Sequence, residues 1–265
     1  MVPKTSDGRV LFVIPWHGHA VAGTTDTPLD APSLEPRPLD EEIEFILETA
    51  GQYLTRPTTR ADVLSVYVGL RPLVKGDGKT SALSRDHVIH VDPSGLLTIT
   101  GGKWTTYRHM AEDCVDHCIT LGRLRDVPCR TRDLRIHGYL DGREERSGAD
   151  IEGWRNTFDA LAVYGTDANA IRVLAAGDPA LAERLDPDLP YTGAEIVWAA
   201  REEMSRSVED ALARRTRALF LNAKSAMAMA PAVARFMAAE LRRGDDWVES
   251  QVAEFRALAE QYRVL

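Results

Sequence analysis

The stretch Gly95-Leu-Leu-Thr-Ile-Thr-Gly-Gly-Lys-Trp-Thr-Thr-Tyr-Arg108 constrains this chain most. Leu97 and Ile99 alternate with Thr98 and Thr100, the period-two pattern of a half-buried strand. From Thr105 to Leu124, Met110, Val115, Cys118 and Leu121 recur at the spacing of one apolar helix stripe. Between strand and helix stand Gly101, Gly102 and Lys103. Glycine has no Cβ, so a ligand can come close to the backbone there. The helix start aims N–H groups and a partial positive charge over the glycines, and Lys103 adds a full charge. Such a turn suits a flavin edge, a pyrophosphate or an anionic substrate. A plain strand-to-helix turn with an exposed lysine satisfies the same pattern, because a lone Gly-Gly-Lys has little specificity.

Length and composition narrow the class. A chain of 265 residues has room for two modest domains, and a hydrophobic content of 44% is ordinary for a soluble globular protein. No apolar run approaches the roughly 20 residues of a spanning helix, and Met-Val-Pro-Lys-Thr-Ser-Asp lacks the apolar core of a signal peptide. A cytoplasmic location is the expectation. The net charge of −8 argues against broad nucleic-acid binding, which needs a basic footprint. Cys114, Cys118 and Cys129 are an odd number with no standard zinc spacing, so they read as reduced thiols.

The rest of the chain reads as α+β followed by an all-α region. Val10–Ile14 and Ala20–Gly23 flank His17-Gly18 and predict a hairpin. Pro32, Pro36 and Pro38 mark an extended loop. Asp40 is a candidate cap for a helix carrying Ile43, Ile46, Leu47 and Ala50. Val63–Val68 and His87–Val91 predict strands, residues 75–80 a polar loop, and Asp92-Pro-Ser-Gly95 a turn. Three divisions follow: 1–125, a linker at 126–150, and a helical domain over 151–265. Within the last, helices are expected from Ile196, from a Ser207 cap through Leu219, from Pro231, and from Asp246 to Tyr262.

Several side chains could carry chemistry. Arg71 precedes Pro72, which restricts its backbone to extended geometry, and Arg85 stands just before a strand. Two arginines brought together suit a phosphate dianion, each offering paired N–H donors. Taken singly, each reads more readily as a surface residue than as a ligand. His17 and His19 would share a face if extended, but no third metal ligand stands near them. Arg214, Arg215 and Arg217 follow Glu209 and Asp210 by about a turn, which favours helical ion pairs over a binding patch.

Several ordered segments resemble one family. They are Asp7-Gly-Arg-Val-Leu-Phe-Val-Ile-Pro-Trp16, Gly23-Thr-Thr-Asp-Thr-Pro28, Gly69-Leu-Arg-Pro-Leu73, Ser84-Arg-Asp-His-Val-Ile89 and Gly101-Gly-Lys-Trp-Thr-Thr-Tyr-Arg-His-Met-Ala-Glu-Asp113. With Glu209-Asp-Ala-Leu-Ala-Arg-Arg-Thr-Arg217, they are similar to flavin-dependent glycerol-3-phosphate dehydrogenase. The match is weakest over Val127–Pro190. The resemblance implies a substrate-binding and FAD domain remainder with a mixed sheet over 1–125, and the family's helical C-terminal domain over 151–265. It implies FAD as cofactor and glycerol 3-phosphate as substrate, oxidised to dihydroxyacetone phosphate by hydride transfer with a quinone as acceptor. Arg71 and Arg85 match arginines that bind the substrate phosphate. Lys103 matches a catalytic lysine between substrate and flavin. Gly101, Gly102, Lys103, Trp104, Thr105 and Thr106 fall where the flavin is contacted. Peripheral attachment to the cytoplasmic membrane and a homodimer also follow from the resemblance alone.

One departure stands out. Complete family members open with Gly-x-Gly-x-x-Gly, which this sequence lacks, so it reads as the C-terminal half of the enzyme. Two alternatives remain beside the dehydrogenase. One is a helical interaction or regulatory module with an inactive flavin domain. The other is an oxygen-using α-glycerophosphate oxidase.

Overall fold

A computed structural model describes residues 1, 2, 5, 8, 10–71, 86–140 and 160–264. The chain forms two compact units: residues 1–27, 35–68 and 137–265 make the first, and residues 28–34 and 69–136 the second.

The first unit begins with the expected hairpin. Strands β1 (Phe12–Trp16) and β2 (His19–Gly23) pair antiparallel from Phe12↔Gly23 to Trp16↔His19. Its two-residue turn is His17-Gly18, both at positive φ, the backbone that matches strand twist in tight hairpins. The His17–His19 pair is therefore no extended metal face: the His19 ring nitrogen Nδ1 lies 2.9 Å from the His17 carbonyl. Among the described residues no group of three ligating side chains is placed to hold a metal.

Helix α1 (Asp40–Gly51) follows, but Leu39 rather than Asp40 is its N-cap. Asp40 is the first helical residue and, with Glu41 and Glu42, still faces the positive helix end. Arg60 ties down this turn, reaching Asp40 at 2.7 Å and Glu44 at 2.6 Å. The expected strand Val63–Val68 is not formed: Leu64 stands in a bend, and the segment pairs with no strand among the described residues. Its backbone bonds instead to the C-terminal region, with Val66 N donating to Tyr262 O at 2.8 Å and Leu64 O accepting from Ala223 N at 3.1 Å.

The helical region contains α3 (Ala168–Gly177), α4 (Pro179–Ala182) and α5 (Gly193–Glu202), then α6 (Ala218–Leu221), α7 (Ala223–Leu241) and α8 (Asp245–Ala259). A short hairpin that the sequence patterns did not signal, β5 (Arg184–Asp186) with β6 (Leu189–Thr192), precedes α5. The core lies here: Ile196, Leu212, Leu219, Met229, Val233, Met237 and Phe255 are fully buried.

Two expected helix boundaries move. Ser207 does cap, its Oγ accepting from Asp210 N at 3.0 Å while Asp210 Oδ2 accepts from Ser207 N at 3.0 Å. The helix does not run on to Leu219, however. It widens into a π-type turn over Asp210–Arg215 and stops at Arg217, whose φ is 63°. Thr216 closes the turn, its N–H and hydroxyl both donating to Ala211 O, at 2.9 and 2.8 Å. The next correction concerns Pro231, which does not start a helix but sits inside α7. That helix begins eight residues earlier, where Asn222 Oδ1 accepts from Ser225 N at 3.1 Å. Proline cannot donate to the carbonyl four residues back. Arg256 of α8 donates to that carbonyl, Met227 O, at 3.4 Å.

The second unit holds β3 (His87–Val91), β4 (Leu97–Gly101) and α2 (Tyr107–Gly122). Strands β3 and β4 pair antiparallel from His87↔Gly101 to Val91↔Leu97. Asp92-Pro-Ser-Gly95 is the turn, with Gly95 N donating to Asp92 O at 2.8 Å and Gly95 at φ 89°. The mixed sheet expected for this part is represented among the described residues by antiparallel hairpins. No described residue of this unit is buried. From Arg123 to Tyr139 the described chain is turn and coil.

Candidate functional site

The Gly-Gly-Lys turn of the second unit is where the candidate residues gather. Strand β4 ends at Gly101, and Gly101 and Gly102 take φ values of 76° and 82°, a region that side chains with a Cβ enter at a cost. The reversal delivers Lys103 in extended geometry as the cap of a short 3-10 turn, Trp104–Thr106, that leads into α2. Thr106 N and Thr106 Oγ1 both donate to Lys103 O, each at 3.0 Å, so the Thr106 hydroxyl closes the turn. The N–H groups of Lys103, Trp104 and Thr105 donate to no described residue, as the first turn of a helix requires. Lys103 and Thr105 are exposed, as is Trp104, which stacks on Tyr107 at 5.5 Å between centroids. The turn thus presents backbone donors, one ammonium and an aromatic face together.

Two side chains to which the sequence reading gave only structural places, Met110 in the helix stripe and His87 in a strand, brace this turn. A Cβ placed on Gly102 would lie 2.4 Å from Met110 Sδ, so the missing side chain is what lets α2 pack onto the glycine. His87, paired with Gly101 across the hairpin, reaches α2 through Nε2, 2.8 Å from Asp113 Oδ2. This bond from His87 holds the Asp113 carboxyl below its ordinary pKa against the opposing effect of burial, with lesser electrostatic contributions from His117, His87 and His109. The His109 ring meets His87 edge-on at 5.9 Å. Residues 87 and 113 are too far apart in sequence for any periodicity to reveal the bond. Further along α2, Arg108 pairs with Glu112 at 2.7 Å.

Of the remaining candidates, Arg71 is exposed and belongs to the same unit as Lys103. Arg85 lies outside the described residues, as do Pro72, Leu73 and Ser84 of the same motifs. In the first unit the arginine group resolves as ion pairs only in part. Arg214 pairs with Glu209 and with Asp210 at 3.0 Å. Arg215 instead donates to the backbone carbonyl of Glu203 at 2.8 and 2.6 Å. Arg217 donates to Arg215 O at 3.1 Å.

The chain is similar to known proteins over most of its length. Residues 1–108 match the family model of FAD dependent oxidoreductases, and residues 129–248 match that of the C-terminal domain of alpha-glycerophosphate oxidase. A Caenorhabditis elegans protein named "Probable glycerol-3-phosphate dehydrogenase, mitochondrial" is 40% identical over 252 residues, 90% of this chain and 35% of that protein. Glycerol-3-phosphate dehydrogenase SDP6, mitochondrial, of Arabidopsis thaliana is 38% identical over 261 residues, 91% of this chain and 41% of its own length. The X-ray structure of glycerol-3-phosphate dehydrogenase from Bacillus halodurans complexed with FAD superposes with a TM-score of 0.75 at 30% identity. That match covers 98% of this chain and 52% of the other. The chain thus spans between 35% and 52% of the length of these relatives. On these matches, the chain belongs to the family of FAD-dependent glycerol-3-phosphate dehydrogenases.

Proposed function

We propose that this chain forms part of a flavoenzyme that oxidises glycerol 3-phosphate, with the Gly101–Thr106 turn against the flavin. The observation that carries this reading is the pair of positive-φ glycines followed by Lys103 and outward N–H groups at the start of α2. These residues fit the cofactor: backbone donors can meet the carbonyl edge of a flavin ring, and the glycines remove the side chains that would hold it away. When bound, FAD would supply the acceptor for a hydride from C2 of glycerol 3-phosphate, and loss of the C2 hydroxyl proton to a base would complete the oxidation to dihydroxyacetone phosphate.

The chain's own residues divide the remaining work. Arg71 and Arg85 hold the substrate phosphate through charge-assisted hydrogen bonds. Lys103 sits between substrate and ring, where its charge stabilises the negative charge that arrives with the hydride. Gly101, Gly102, Trp104, Thr105 and Thr106 orient the ring. No catalytic base is assigned. In this reading residues 1–125 carry the substrate and flavin contacts, 126–150 link, and 151–265 form the helical domain. A quinone takes the electrons at the cytoplasmic membrane surface, and the protein acts as a homodimer. Among the described residues no helix is long and apolar enough to cross a membrane.

Oxygen as the acceptor is the second reading, favoured by the oxidase-named model that matches residues 129–248. Oxygen consumption against quinone reduction separates the two. The leading test is an absorbance spectrum of the chain after adding excess FAD and removing what is free. A retained, shifted flavin spectrum supports the cofactor site, and loss of all flavin counts against this chain holding FAD alone. Within a complete, active enzyme, Arg71→Ala should raise the KM for glycerol 3-phosphate by roughly ten- to a hundredfold, the loss of about 1.5–3 kcal/mol of charged hydrogen bonding. An unchanged KM excludes Arg71 from the phosphate site.

A further inference from the structure

The turn from Gly101 to Thr106 joins a hairpin to a helix, and its backbone alone does not fix how the two sit. Gly101 and Gly102 stand side by side at positive φ, and adjacent glycines leave the chain freer than residues with a Cβ. No described residue of this unit is buried, so among the described residues no buried core clamps α2 onto β3 and β4. Met110 and Asp113, three apart on α2 and so on one face, turn toward the hairpin. Met110 meets Gly102, but a flexible thioether chain adapts to its surroundings and sets no direction. Asp113 makes the directional contact, its Oδ2 2.8 Å from His87 Nε2, and the His87 side chain is only 16% exposed. His87 is tied to the turn as well: it pairs with Gly101 across the sheet, and its Cβ lies 3.4 Å from where a Cβ on Gly102 would stand. The second imidazole on this carboxylate, His117 Nδ1 at 3.4 Å from Oδ1, belongs to α2 itself and cannot tie α2 to a strand.

We propose that His87, acting through Asp113, is a positioning residue for the flavin. Its bond holds the start of α2 against the hairpin and so keeps the N–H groups of Lys103, Trp104 and Thr105 in one arrangement. A cofactor that binds the turn only when the helix is docked loses affinity in proportion to the undocked fraction. His87 itself touches no ligand. The inference rests on the reading that the Gly101–Thr106 turn lies against the flavin.

The test uses the whole chain with FAD as the probe. Amide hydrogen exchange is followed at Thr106 and Tyr107, whose N–H groups donate to Lys103 O and Trp104 O and close the turn. The Kd for FAD is measured by flavin fluorescence. His87→Ala and Asp113→Ala should each speed exchange and weaken FAD by about tenfold, and the double variant should do no more than either, because each single change already breaks the bond. His87→Gln, whose amide can donate to the same carboxylate, should restore most of both quantities, and His117→Ala should change neither. Effects that multiply in the double variant overturn the proposal. So does faster exchange in His87→Ala with FAD held as tightly as by wild type, where Gly102→Ala binds FAD weakly. If the wild-type chain holds no FAD, or Gly102→Ala holds it equally well, the flavin reading of the turn fails. The tie between hairpin and helix is then decided by exchange alone, and unchanged exchange in His87→Ala overturns it. Should His87→Ala fail to fold, His87→Phe keeps a ring against His109 and Gly102 without the donor and is read by the same criteria.

Discussion

Gly102 and Glu195 show how much can hang on one side chain, or on its absence. At Gly102 a methyl group meets two obstacles, a φ of 82° and the Met110 sulfur 2.4 Å from where the carbon would stand. The sulfur ends a flexible chain and can move, whereas the backbone cannot change without opening the turn. Gly102→Ala should therefore lose about 1–2 kcal/mol of stability, and adding Met110→Ala should not recover it. Urea denaturation checks this, and a wild-type midpoint would remove the backbone argument. Glu195 is 1% exposed and stands at the third position of α5. Its carboxylate accepts from Thr192 N at 2.9 Å, Thr192 Oγ1 at 3.3 Å and Tyr164 Oη at 3.3 Å. Burial first, and then the negative charge of Glu195, pushes the Tyr164 phenol far above its ordinary value, so Tyr164 stays a donor. Glu195→Ala removes the cap and leaves that hydroxyl unpaired, an expected loss of about 2–4 kcal/mol, while Glu195→Gln should cost no more than about 1 kcal/mol. The Thr192-x-x-Glu195 spacing of the capping box is readable in sequence; its tie to Tyr164 is not.

Among the elements, the segment from Ser207 to Arg217 illustrates how local bonds redirect a helix. The apolar spacing of Val208, Ala211, Leu212 and Leu219 fits a continuous helix, yet Arg217 turns left-handed and ends it. What the pattern misses is competition from side chains, because Thr216 takes the Ala211 carbonyl that a straight helix would use and Arg215 reaches back to the Glu203 carbonyl at the end of α5. Asp210 anchors the start. Burial raises its carboxyl pKa, but hydrogen bonds from Arg206 N, Ser207 Oγ and Ser207 N, with the Arg214 charge, outweigh this and leave it lowered. A carboxyl with a lowered folded pKa stabilises fully above its unfolded value, about 4, and that contribution fades as pH falls toward the folded value. Between pH 5 and pH 2.5 the wild type should therefore lose more stability than Asp210→Asn, which has no carboxyl to protonate. Parallel urea midpoints over that range would show the role absent. Helix α7 makes the same point from the other side: Pro231 suggests a start, and only the facing Arg256 reveals how a proline is carried inside.

At the scale of the molecule, burial is unequally shared. The first unit holds the described buried core, whereas no described residue of the second unit is buried. Helix α2 has no buried residue, and Val115 and Leu121 of its expected apolar stripe are 54% and 50% exposed. Amides of β3, β4 and α2 should therefore exchange faster than those of α5 and α7, by about a hundredfold or more where opening is local. Equal protection in both sets would contradict the unequal packing. The sequence by itself determined the β1–β2 and β3–β4 hairpins, though not β5–β6, together with the Asp92–Gly95 turn, the Gly-Gly-Lys transition into α2 and most of the helices. Those depend on periods of 2 and 3.6 residues and on glycine or proline at fixed places, all within one window of chain. Only the tertiary structure decided that residues 64–68 bond to helices rather than to a strand, that His87 reaches Asp113, and that the Gly102 face is filled by Met110. Each joins residues whose separation in sequence carries no periodic signal, or depends on which way a flexible side chain turns. Folding chooses these contacts through packing and hydrogen-bond satisfaction across the whole unit, and a local pattern contains neither.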